Sequence, residues 1–339
     1  MTHQDDQQGK SPGSLVDRFD RTLNYLRISV TDKCNLRCTY CFSPGPHPKL
    51  QHSDILRYEE ILRIVKVGAA LGITKIRITG GEPLVRKGIS DFLKRLTAIP
   101  GLSDVSLTTN GMLLDQHLDR IRNAGIKRLN ISLDSLKRER FRKITGEDGF
   151  DQVWHAISKA RDMGFSPIKI NVVAIPGVNE DELIDFARLT FSYPFHIRFI
   201  EYMPIGSPTF KTSRTLLTQE IKRKIGSLGL LTPLEQDGKD GPARRFQIQG
   251  ALGEVGFISP VSQHFCQTCN RIRLTADGRL RLCLLSDQTL DIGGILRSGG
   301  SDEDLIHLFQ KAALLKHEKH CLQSGDTYSV KDFMSSIGG

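Results

Sequence analysis

The chain is 339 residues long with a formal charge of +9; hydrophobic residues make up 39% and charged residues 25%. That balance suits one large or two modest globular domains, and no run of about 18 apolar residues occurs, which excludes a membrane-spanning helix. Lysine and arginine are scattered, with no basic tail and no interleaved aromatics. A small polyanionic substrate and an ordinary solvated surface therefore account for the charge without nucleic acid.

Residues 1–20 are polar and lack the apolar core of a signal peptide, so they are expected to form a disordered arm. The seven cysteines then point to a reducing, cytoplasmic setting, and to metal or catalysis rather than disulfides.

From residue 25 onward, β-rich runs alternate with helical patterns. A strand at 25–31 leads into a cysteine-rich loop. A helix at 58–71 follows, with Ile61, Leu62, Ile64, Val65, Val67 and Ala69 on one face and Gly72 as its stop. A strand at 74–79 ends in Gly80-Gly81-Glu82-Pro83, before a helix at 88–98. A strand at 103–109 ends in Thr108-Thr109-Asn110-Gly111, before a helix at 113–124. Next come a strand at 127–133 with Asn130, Ser132 and Asp134, and a helix at 150–163. A strand at 167–175 carries Lys169 and Asn171, and a helix spans 180–190. The last strand, 195–202, runs into Glu201-Tyr202-Met203-Pro204.

Strand–helix alternation predicts an α/β fold with a parallel sheet. Six units fall short of a closed eightfold barrel, so the pattern leaves a six-stranded partial barrel or an open sheet. In such sheets function gathers at the C-terminal strand ends. The polar residues named above sit there, where facing a cavity spares them the cost of a dry core.

Past 204 the alternation stops. Segment 205–265 is rich in Gly and Pro, with short strands at 245–248 and 253–258. A hairpin over Leu274–Arg281 turns at Asp277-Gly278, and a helix spans 303–320. The expected organisation is therefore an arm at 1–20, a partial barrel at 21–204 and a C-terminal region at 205–339.

Six of the cysteines fall into two trios. Cys34, Cys38 and Cys41 are spaced C-x3-C-x2-C; Cys266, Cys269 and Cys283 are spaced C-x2-C-x13-C. Thiolates are the usual ligands of iron–sulfur clusters, which take four, so three nearby thiols leave one iron open for chemistry. Zinc is the competing assignment, completed by His47 or His52 at the first trio and by His264 or Cys321 at the second. A disulfide pair plus a spare thiol is the third possibility. Cys321 suits a small apolar helix position, and His317 and His320 are expected to face solvent. Arg271 and Arg273 occupy alternate strand positions and so share a face, which suits bidentate phosphate binding or, alternatively, a solvated strand.

With Tyr40 before its last cysteine, the first trio resembles the signature of the radical S-adenosylmethionine enzymes. The resemblance implies a partial (β/α)6 TIM-like barrel and a [4Fe-4S] cluster on Cys34, Cys38 and Cys41. It also implies S-adenosyl-L-methionine chelated at the fourth iron as the source of a 5′-deoxyadenosyl radical. The second trio, the run Cys269-Asn-Arg-Ile-Arg273 and the terminal Gly338-Gly339 narrow the likeness to the GTP-cyclising family that opens molybdenum-cofactor biosynthesis. It extends from about residue 20 to the end.

That family implies a second [4Fe-4S] cluster on Cys266, Cys269 and Cys283, holding the guanine of GTP. It implies GTP contacts at Arg27, Arg77, Thr108, Lys169, Arg271, Ile272 and Arg273. Contacts to S-adenosylmethionine are implied at Tyr40, Gly81, Ser132 and Met203, together with a tail of Gly338 and Gly339 that reaches the site. No side chain is assigned as catalytic. The implied partners are an external one-electron reductant and a downstream cyclic pyranopterin monophosphate synthase; the sequence leaves monomer and homodimer both open. Two alternatives remain: a peptide-modifying radical enzyme with an auxiliary cluster, which tends to carry more C-terminal cysteines, and a zinc-stabilised nucleic-acid-binding protein, favoured only by charge.

Overall fold

The computed structural model describes residues 13–42, 50–203, 205, 214–235, 241–320, 330 and 332–338. The chain opens with β1 (Tyr25–Ser29), α1 (Tyr58–Ala70), β2 (Lys75–Thr79), α2 (Ile89–Thr97), β3 (Asp104–Thr109) and α3 (Leu114–Asn123). It continues with β4 (Leu129–Ser132), α4 (Arg138–Thr145), α5 (Phe150–Asp162), β5 (Ile168–Ala174), α6 (Leu183–Ser192) and β6 (His196–Glu201). The second half adds α7 (Thr218–Ile225), β7 (Leu231–Pro233), β8 (Arg244–Ile248), β9 (Glu254–Ile258), β10 (Arg271–Leu274) and β11 (Arg279–Arg281). It ends with β12 (Thr289–Asp291), α8 (Ile292–Arg297), α9 (Asp302–Leu315) and α10 (Met334–Ile337).

All strands join one sheet in the order β12-β11-β10-β1-β2-β3-β4-β5-β6-β9-β8-β7, with β12 and β7 at its two ends. Strands β1 to β6 run parallel, as their helical crossovers require. Two further strands extend the parallel array: β10 beside β1 and β9 beside β6. The sequence pattern showed both segments as strands but not their places in the parallel array, because each arrives out of order after a long excursion. They make the sheet continuous across residue 204.

The strands alternate apolar with polar residues, and the two faces have different fates. Leu26 and Ile28 on β1, Ile76 and Ile78 on β2, and Ile170 and Val172 on β5 are buried in the core under the helices. The opposite face carries Tyr25, Arg27, Arg77, Thr79, Asn171 and Arg198, all lining a cavity. Helices α1 and α9 pack together on the apolar side, as do α3 and α5.

The expected βα elements are present with ends shifted by a few residues, and α4 was not foreseen. The helix expected over 303–320 stops at Leu315, so 316–320 leaves it as an irregular segment. No helix of the described residues is long and apolar enough to cross a membrane.

Candidate active site

Both trios open onto one cavity of about 290 Å³ at the C-terminal ends of the parallel strands. Cys34, Cys38, Cys41, Cys266, Cys269 and Cys283 all line it, and all six are free thiols. Among the described residues, no three His, Cys, Asp or Glu side chains are gathered as around a single ion.

The first trio sits on a loop held from three sides. Within it, Cys41 N and Phe42 N donate to the Cys38 carbonyl at 3.0 and 3.1 Å. From α4, the carbonyls of Thr145 and Ile144 accept from Arg37 N at 2.8 Å and Thr39 N at 2.9 Å. From the end of β2, Gly81 N donates to Thr31 O at 2.6 Å and Glu82 N to Lys33 O at 2.8 Å. A Cβ at Gly81 would lie 2.4 Å from Lys33 O, so glycine is required by this close approach.

Two buried carboxylates brace the same loop. Glu82 accepts from Leu84 N at 3.1 Å, Thr109 Oγ1 at 2.8 Å and Asn110 N at 2.7 Å. Burial outweighs these bonds and pushes its carboxyl up to about 7. Asn110 in turn donates to Cys34 Sγ at 3.7 Å and Asn35 Oδ1 at 2.9 Å. Asp134 accepts from Tyr40 OH at 2.6 Å and Val173 N at 2.8 Å, and burial raises it to about 6. Burial first, then Cys41 and Asp134, holds the Cys38 thiol well above its usual range. Glu82 and Asp134 were visible as motif residues, but their bracing roles depend on contacts far apart in sequence.

The second trio is assembled by the β10–β11 hairpin. Its antiparallel pairs Arg273↔Arg281 and Leu274↔Leu280 bring Cys283 back beside Cys269. Gly278, at φ +83, makes the turn possible. Here the surroundings are cationic. Burial raises the Cys269 thiol, but Arg271 and then Lys316 overcome it and draw the group down to about 6.

Between the trios runs a row of guanidiniums. Register places Arg273 of β10 beside Arg27 of β1, and Arg27 beside Arg77 of β2. Burial and then Arg271 lower Arg273 to about 9; burial and then Arg273 lower Arg27 well below the usual arginine range. Like charges held this close, out of water, demand an anion. Arg77 Nε and Thr108 Oγ1 are buried with no hydrogen-bond partner among the described residues, which is the mark of groups awaiting a ligand. The tail enters here too: Arg273 Nη1 donates to the Gly338 carbonyl at 2.6 Å.

Of the expected site residues, Tyr40, Gly81, Ser132, Met203, Arg27, Arg77, Thr108, Arg271 and Arg273 line the cavity. Lys169 does not: it is buried on β5, two residues below the cavity-lining Asn171. Ile272 lies between the two arginines on a strand, so its side chain turns the other way into the core. His320 was expected at the surface but lines the cavity, while its neighbour His264 rests edge-on against it. His52 is exposed on the surface. His47, Cys321 and Gly339 lie outside the described residues. Arg198, also in the cavity wall, was overlooked as a candidate; its alternation with Ile197 and Phe199 on β6 was the available signal.

A parallel partial barrel whose first strand runs into a C-x3-C-x2-C loop defines the class as radical S-adenosylmethionine enzymes. Residues 28–190 match the model of the radical SAM superfamily, and residues 195–322 match that described as Molybdenum Cofactor Synthesis C. In fold, the chain is similar to Streptococcus suis SuiB bound to S-adenosylmethionine. The TM-score is 0.63 at 13% identity, covering 86% of this chain and 69% of that one.

In sequence it is 48% identical over 327 residues to the GTP 3′,8-cyclase of Thermodesulfovibrio yellowstonii, covering 96% of this chain and all of that protein. It is 47% identical over 325 residues to the GTP 3′,8-cyclase of Moorella thermoacetica, with the same coverage. The chain belongs to the GTP 3′,8-cyclase family.

Membership implies a [4Fe-4S] cluster and S-adenosylmethionine. The first trio fits them: three soft, free thiols on a braced loop facing a cavity, with Tyr40, Gly81, Ser132 and Met203 in the same wall.

Proposed function

We propose that the protein converts GTP to (8S)-3′,8-cyclo-7,8-dihydroguanosine 5′-triphosphate, the first step of molybdenum-cofactor biosynthesis, using two [4Fe-4S] clusters in one chamber. The observation that carries this is the in-register row Arg273–Arg27–Arg77 lying in the cavity wall shared by the two cysteine trios.

When bound at the first trio, the cluster and S-adenosylmethionine supply a primary carbon radical able to take the ribose 3′ hydrogen. The protein's own task is to hold GTP and keep everything else away. Arg27, Arg77, Arg271 and Arg273 offer guanidiniums to the triphosphate, and binding it relieves their mutual repulsion. Thr108 and Arg77 line the same space, and the triphosphate offers acceptors to their unpartnered Oγ1 and Nε. Cys266, Cys269 and Cys283 would hold the second cluster, which would supply a binding point for the guanine end. With both ends fixed, the ribose is presented to the radical and its 3′ carbon to guanine C8. The tail borders the chamber at Met334 and Ser335, and Arg273 holds its Gly338 carbonyl. An external one-electron reductant and a downstream synthase complete the sequence, and the expected setting is the cytoplasm.

The test is incubation of oxygen-free reconstituted protein with GTP, S-adenosylmethionine and reductant. Formation of 5′-deoxyadenosine together with a cyclised GTP product is expected. Turnover of S-adenosylmethionine that leaves GTP intact, or that modifies an added peptide instead, would sink the proposal.

A further inference from the structure

The segment that follows α9 is stitched to every stretch of backbone carrying the second trio. Lys316, the first residue past the helix, is buried. Its Nζ donates to the Arg271 carbonyl at 3.0 Å, two residues beyond Cys269. It also donates to the Leu282 carbonyl at 2.7 Å, immediately before Cys283. Cys266 is tied to the same segment through Arg21. That guanidinium donates to the carbonyls of Cys266 at 2.7 Å, His317 at 2.6 Å and Glu318 at 2.8 Å. Lys316 lines the same chamber as all three thiols.

The two cations differ in one respect. Arg21 has a carboxylate, Asp17, on its Nε at 2.6 Å. The hydrogen bonds of Lys316 within the described residues go to two neutral carbonyls. A buried ammonium without a counter-charge is costly, so a compensating negative charge belongs in the chamber. Thiolates holding an iron–sulfur cluster supply one, and the cluster becomes more negative by one charge when it takes up an electron. The first trio has the opposite surroundings. Asp134 reaches it through Tyr40, and Glu82 through Asn110.

We propose that Lys316 is the positioning residue of the second site: it pins the flanks of Cys269 and Cys283 and makes the cluster there easier to reduce than the one on the first trio. The electron comes from the same external one-electron reductant, which is oxidised as the cluster core is reduced. This rests on the two-cluster proposal above and adds the residue that sets the difference between the clusters.

The experiment compares wild type, Lys316→Met and Lys316→Arg as full-length reconstituted proteins, by iron content. Redox titration followed by electron paramagnetic resonance is run on each in a background where Cys34, Cys38 and Cys41 are alanine, so that one signal remains. In Lys316→Met the ratio of reduced to oxidised cluster at a fixed potential should fall at least about tenfold, equivalent to about 59 mV for a one-electron couple. Lys316→Arg, which keeps the charge, should restore most of it. If Lys316→Met sheds the second cluster while Lys316→Arg keeps it, the positioning role is supported by that rescue. An unchanged potential in Lys316→Met overturns the inference and leaves the two-cluster proposal standing. So does equal loss of the cluster from both variants, which would mean packing rather than charge. Wild type binding only about four irons overturns the two-cluster proposal itself and this inference with it.

Discussion

Replacing Arg273 with alanine separates substrate binding from radical initiation. Arg273 is only 5% exposed, neighbours Arg27 in register, and is lowered to about 9 by burial and then by Arg271. Carrying a charge at such a site costs on the order of 5 kcal/mol relative to water, a cost that a bound triphosphate cancels. In the free protein, truncation removes this repulsion along with the bond to Gly338 O. The lost bond of about 1.5–3 kcal/mol offsets only part of the relieved cost, so the unfolding midpoint without GTP should not fall more than about 2 °C below wild type. With GTP, the variant lacks a charge-assisted bond of about 1.5–3 kcal/mol, so the dissociation constant for GTP should rise about tenfold to a hundredfold. Calorimetry measures the binding, and chromatography measures 5′-deoxyadenosine and cyclised product in the same reaction. Cyclisation should fall by that factor at subsaturating GTP, while basal cleavage of S-adenosylmethionine changes less than about twofold. Equal loss of both activities would refute the assignment of Arg273 to substrate.

Three other perturbations test other parts of the site. Gly81→Ala drives a Cβ against the backbone of Lys33, 2.4 Å from its carbonyl oxygen, and should displace the first loop. About four of about eight irons should be lost, and retention of all of them would show that the loop yields freely. Glu82→Gln replaces one acceptor oxygen with an NH2 group where Leu84 N, Asn110 N and Thr109 Oγ1 all donate. It should lower stability by about 1–3 kcal/mol in denaturant titration, and an unchanged midpoint would contradict the bracing role. Asp332→Asn weakens the ion pair with the fully buried Arg281, which also donates to Asp287 at 3.0 Å and to the Cys283 carbonyl at 3.2 Å. Amide exchange across 333–338 should accelerate and cyclisation should drop, with S-adenosylmethionine cleavage retained; unchanged exchange would show that the tail is anchored elsewhere.

The sequence made the repeating half of the fold visible because both of its periods are strong. Apolar alternation on Tyr25–Ser29 or Lys75–Thr79, followed by a 3.6-residue stripe such as Ile61 to Val67, can be recognised locally. What closes the sheet at its edges was hidden. Strands β9 and β10 find β6 and β1 by register over long separations, and register is not written in either strand alone. Helix α4 escaped notice because only Phe141, Ile144 and Thr145 are buried on it, yet it supplies two carbonyls to the first cysteine loop. The trios were legible as motifs, and Arg271 with Arg273 as a pair on one face. The row they complete with Arg27 and Arg77 needed the register. Arg198 could be read from its alternation with Ile197 and Phe199, whereas Lys316 was concealed at the end of a helix expected to run on to residue 320. Ile272 shows the other side of the same alternation, which turns its side chain into the core.

The most direct test of two cluster sites facing one substrate chamber is electron paramagnetic resonance of three reduced, oxygen-free proteins with and without GTP. These are the wild type, a variant with Cys34, Cys38 and Cys41 changed to alanine, and one with Cys266, Cys269 and Cys283 changed to alanine. The account predicts about eight irons in the first and about four in each of the others. GTP should alter the spectrum only where the second trio is intact. A wild type with about four irons and one zinc, or a GTP response that survives loss of Cys266, Cys269 and Cys283, would contradict it.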